Sequence, residues 1–173
     1  DYRLAVLIMG GVVVFYSTIG GLWSVTITDI FQWIMVVGGV MITVPFALNV
    51  VGGWDVVVKT VEPWRLDPIA GVGWEGIITL TVMYLASFAV GQEYVQRYFA
   101  AKDDKSAKTG SLIAAATYVV YAWFPAILGL IALTYVKMGN TIPYIEEYGT
   151  RYVLPAMAVV ALPPVILGLL FAA

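Results

Sequence analysis

The chain has 173 residues, of which 61% are hydrophobic and 12% charged, with a mean hydropathy of +0.91 and a formal net charge of −2. A soluble domain is nearer half apolar and a quarter charged, so the class read here is an integral membrane protein, with the lipid bilayer as its surroundings. The near-neutral charge argues against nucleic acid as a partner. The absence of cysteine and histidine removes disulfides, thiolate nucleophiles, Ser-His-Asp triads and the usual zinc sites.

Charged residues divide the chain into long apolar blocks, and a bilayer span needs about 20 such residues. Five helices are expected, at roughly 4–19, 26–50, 74–99, 106–137 and 153–173. The blocks are continuous rather than alternating, which argues against barrel strands. Gly20-Gly21 is expected to end the first helix, with Thr26 or Thr28 capping the second. The stretch VGGWDVVVKTVEPWRLDPIAGVGWEG then reads as an interfacial loop, with Trp54, Trp64 and Trp74 at headgroup depth. A second loop, KMGNTIPYIEEYGTRYVLP, has room for a short helix around Tyr144–Tyr148. Pro45, Pro125 and the Pro163-Pro164 pair fall inside predicted helices and should kink them. Glycine pairs inside helices should let backbones approach closely.

The loop 97–108 carries four basic residues within twelve positions: Arg97, Lys102, Lys105 and Lys108. Five others, Arg3, Lys59, Arg65, Lys137 and Arg151, fall on the opposite side, so density rather than count assigns 97–108 to the cytoplasm. The chain opens at a helix edge without methionine and stops at GLLFAA inside an apolar block, so a piece of a longer protein is expected.

GVGWEG (71–76) matches a dinucleotide fingerprint, but that motif needs a preceding strand and a βαβ unit, so it reads here as a flexible loop. YSTIGGLWSVTITDIFQ (16–32) sets hydroxyls, including Thr28, and then Asp29 near the start of an apolar helix. A carboxylate there either serves a cation pathway or is an N-terminal acid favoured by the helix dipole. Glu93 and Arg97 stand four apart in the favourable order for a helical ion pair at the interface, with a gating role as the alternative. Ser87, Gln92 and Gln96 give that helix a polar face, which in a membrane turns toward a cavity or another helix.

The segment 16–32 resembles the Tyr-(Ser/Thr)-x-x-Gly-Gly-Leu-x-(Ala/Ser)-Val-x-x-Thr-Asp-x-x-Gln pattern of the sodium:solute symporter family. GQEYVQRYFAAKDDKSAKTG (91–110) is similar to that family's Gln-x-x-x-Gln-Arg-x-x-(Ala)-Ala-Lys stretch. The resemblance covers nearly the whole chain. It implies an all-α LeuT-type fold of two inverted repeats, of which this chain would hold core helices four to seven and the start of eight. It also implies sodium as the coupling ion, no cofactor, and location in the plasma (inner) membrane. Carried over by position, Asp29 and Thr28 fall on the inner cation route. Ser87, Gly91, Gln92 and Tyr94 fall on the substrate path or inner gate, and Gln96 and Arg97 match the cytoplasmic Gln-Arg. Two departures bear on the solute. Gly91 stands where the sugar-transporting branch often has Asn or Asp, and no lysine lies between Lys108 and Lys137. Sugars are thus disfavoured against amino acids, carboxylates or similar small polar solutes. The reading is sodium-coupled symport by alternating access, not an enzyme, with a solute-sensing membrane domain of a signalling protein as the alternative.

Overall fold

A computed structural model describes residues 2–172. Among them every regular element is a helix. Helix α1 runs Tyr2–Val51 but bends at Gly21, whose backbone (φ 55°, ψ −151°) leaves the helical region for one accessible chiefly to glycine. The Gly20-Gly21 pair therefore ends one helical arm, as expected, and a second arm begins directly after it. Thr26 and Thr28 do not cap anything. Their hydroxyls donate to the carbonyls of Leu22 and Ser24, four residues back, which places both inside the second arm.

The chain then reverses through Gly52 and Gly53 into α2 (Trp54–Thr60) and a 3-10 turn, Pro63–Leu66. The expected interfacial loop is thus largely ordered helix and turn. Helix α3 (Gly73–Val90) is followed by α4 (Gln92–Phe99), with Gly91 extended between them. Helices α5 (Asp104–Tyr121) and α6 (Trp123–Lys137) meet at Ala122, three residues before Pro125, which lacks the amide that would bond back to Tyr121. A turn of helix, α7 (Ile145–Tyr148), and a 3-10 turn, Thr150–Tyr152, precede α8 (Val153–Ala161) and α9 (Pro164–Phe171).

Among the described residues three helical stretches are long and apolar enough to cross a membrane: 3–51, 73–90 and 104–137. The first two expected helices are the two arms of α1, joined at the kink at Gly21. The expected helix over 153–173 is interrupted at Leu162–Pro163, because two consecutive prolines withdraw two amide donors and Leu162 turns extended (φ −92°, ψ 144°).

The packed core gathers at one end of the molecule, where the end of α1 meets α2, α6 and α8. Ala47, Val57, Ile131 and Met157 are fully buried there, with Val51 and Leu128 nearly so. The two buried hydroxyls donate to carbonyls one turn back, Thr43 to Gly39 and Thr134 to Leu130, so neither is left unpaired. Close approach at a glycine occurs at Gly39, where a Cβ would run into the Leu170 side chain of α9; Gly10, Gly11 and Gly38 face open space. Helices α3, α4 and α5 bury none of their side chains. Val90 is 81% and Phe99 86% exposed, an apolar surface suited to lipid or to further helices.

Candidate functional site

The site forms where the two motif segments meet. On the second arm of α1 the local hydroxyls are already engaged, Thr26 and Thr28 returning to their own backbone. Asp29, one residue further, has no such internal partner. Its Oδ2 accepts from Arg97 Nη2 at 2.7 Å, across a sequence separation of 68 residues.

Arg97 reaches it because of how α4 is built. Gly91 takes an extended conformation (φ −64°, ψ 117°), its amide donating to the Ser87 carbonyl at 2.8 Å and so closing α3. The Gly91 carbonyl then accepts from the amides of Tyr94 and Val95, opening α4. No side chain caps the first turn of α4. Glu93 lies in that turn and Arg97 in the last, the arrangement the helix dipole favours at each end. The break also brings the Phe88 and Tyr94 rings together edge-on, 4.4 Å between centroids. A Cβ on Gly91 would stand 2.7 Å from Tyr94 Cδ2 and 2.9 Å from the Ser87 carbonyl oxygen, so this close approach requires glycine.

The expected Glu93–Arg97 ion pair is not formed. Among the described residues Glu93 makes no ion pair, while Arg97 turns to Asp29. Intrahelical spacing permitted the first contact; tertiary placement of α4 beside α1 gives the second. Ser87, Gly91 and Tyr94 are brought together at the break, with Gln92 exposed beside them. Thr28 neighbours Asp29 on α1 but its hydroxyl is spent on Ser24. Among the described residues no three acidic side chains gather as a metal cluster. At the far side of α4, Asp103 caps α5 by accepting from the Ser106 amide at 2.6 Å. That bond holds its carboxyl below the usual aspartate range, and the lysine-bearing turn is thereby ordered.

The profile of the Sodium:solute symporter family matches residues 1–173. The chain belongs to the sodium:solute symporter family. Members of this symporter family are membrane transporters, not enzymes. The chain is 28% identical, over 180 residues that include all of it, to the sodium/proline symporter of Staphylococcus aureus. It is 28% identical over 122 residues, 65% of this chain, to the sodium/iodide cotransporter of Homo sapiens. It spans 33% of the length of the first relative, and the second match covers 19% of that protein. No solved structure matches the chain. Both family-like motifs lie inside the symporter match, and they are the two segments that Asp29 and Arg97 join.

Proposed function

We propose that this chain is part of the membrane domain of a sodium-coupled symporter that carries a small polar solute by alternating access. The observation that carries the reading is the contact between the two motif segments at Asp29 and Arg97, in a chain that matches the family throughout. Arg97 lies six residues, about 9 Å along a helix, from the break at Gly91. Discontinuous membrane helices characteristically surround solute and ion sites, because the freed backbone groups need polar partners. In this account Ser87, Gly91, Gln92 and Tyr94 line the solute path. Asp29, with Thr28 beside it, attracts the cation. Arg97 holds the Asp29 charge until the cation replaces it, and Glu93 serves the gate as a first-turn acid rather than as Arg97's partner.

The arrangement fits a LeuT-type fold in which α1 supplies core helices four and five, α3–α4 the sixth, and α5–α6 the seventh. The loop 97–108 then faces the cytoplasm and the packed end faces outward, in the plasma membrane. Gly91, the lack of lysine between Lys108 and Lys137, and the sodium/proline relative together support an amino acid or small carboxylate over a sugar. No observation favours the solute-sensing alternative.

The test is uptake by the full-length protein in proteoliposomes, offering labelled proline, a short carboxylate and a hexose in turn. Accumulation of one of the polar non-sugar solutes under an inward sodium gradient, lost when potassium replaces sodium, is the expected result. Uptake that ignores sodium would overturn the reading.

A further inference from the structure

A second ionic cluster lies at the packed end, away from the motif segments. Lys137, in the last turn of α6, donates from Nζ to Glu62 Oε1 at 2.5 Å and to the Thr60 carbonyl at 3.3 Å, 75 and 77 residues away in sequence. The other Glu62 oxygen accepts from Arg65 Nε at 2.7 Å. The Arg65 guanidinium in turn lies over the Trp64 ring, 4.4 Å from its centroid. One carboxylate therefore ties the end of α2, the 3-10 turn and the end of α6 together.

Apolar footings stand on both sides of this pin. Val57 and Val61 are buried in the core, and Leu66 packs against it. A groove of about 380 Å³ opens between Trp64, Pro68 and Gly71 on one side and Ala126, Gly129 and Leu133 of α6 on the other. Asp67 Oδ1 accepts from the amides of Ile69 and Ala70, closing the turn. Then come Gly71, Val72 and Gly73, the last at φ 70° and the first residue of α3, with the Val72 and Gly73 amides donating to the Ile69 carbonyl at 3.2 and 2.7 Å.

We propose that Glu62 pins residues 54–70 to the end of α6, making this segment a fixed abutment from which α3–α4 swings about Gly71–Gly73. Two motif segments joined by a floppy loop would move independently at their outer ends. With the pin in place, movement concentrates in three residues, two of them glycine, and at the Asp29–Arg97 contact on the far side of the break. The clamp requires only the geometry above and does not depend on which ion or solute is carried.

The test uses pulsed electron paramagnetic resonance on the full-length protein, with spin-label pairs at Ala70→Cys/Val136→Cys and at Ala70→Cys/Val90→Cys. This chain contributes no cysteine of its own. The first pair should give one narrow distance, and the second, across the glycine hinge, a wider distribution. Glu62→Gln should broaden the narrow distance of the first pair, and Lys137→Gln, which leaves the Glu62–Arg65 contact in place, should do the same. A double variant should broaden it no further than either single change. The proposal is overturned if both single variants keep the narrow distance, if their effects add in the double variant, or if the second pair is as narrow as the first.

Discussion

Arg97 Nη2 stands 2.7 Å from Asp29 Oδ2, joining the two family-like motifs through residues 68 apart in sequence. The side chains are 64% and 37% exposed, so screening limits what the pair adds to stability. Asp29→Asn and Arg97→Gln should each lower the melting temperature slightly. Together they should cost less than the sum, by a coupling of about 0.5 kcal/mol. Strict additivity in a double-mutant cycle would contradict a pair that persists in solution.

Gly91→Ala should be damaging although its backbone dihedrals suit any residue. The added methyl meets a backbone carbonyl, that of Ser87, at 2.9 Å, and a carbonyl cannot move aside without opening the end of α3. A loss of about 1–3 kcal/mol is expected, with the Phe88–Tyr94 contact displaced. Gly110→Ala is the control: it lies inside α5 with nothing within 4 Å, so alanine's better helix propensity should leave stability unchanged or raise it. Equal thermal losses in the two variants would remove the argument from close approach.

The helical class was legible in uncharged blocks too long for strands, and the bends at Gly21 and Pro163-Pro164 in residues whose backbone chemistry forces them. The partner of Arg97 was not. Spacing along one helix offered Glu93, the nearest acid, whereas the contact that forms depends on where α4 lies beside α1, which no local pattern encodes. The same holds for Glu62 and Lys137. Each reads as an ordinary loop charge, and only the packing of Val57, Val61 and Leu66 onto α6 brings them within reach. The threonines near Asp29 misled for a related reason: a hydroxyl that can cap a helix can equally bond back inside one, and the bend at Gly21 decided which.

Glu62 gives the account a pH signature. Its bonds from Lys137, from its own backbone and from Arg65 lower its carboxyl from 4.5 to about 2. A depressed carboxyl contributes stability that is fully present above its unfolded value and lost as pH falls through the folded one. The melting difference between wild type and Glu62→Gln should thus be constant from neutral pH down to the ordinary glutamate range. It should then shrink toward zero as the pH approaches about 2. A difference that persists undiminished at the acid end would place the effect of the substitution elsewhere than in the charge.

The central claim is sodium coupling, and its most direct test is thermal unfolding of the full-length protein in sodium chloride against choline chloride at equal ionic strength. A cation bound only by the folded state stabilises by about 2.7 kcal/mol at one hundred times its dissociation constant. The account predicts a rise in melting temperature specific to sodium and diminished in Asp29→Asn. Identical melting in the two salts would contradict it.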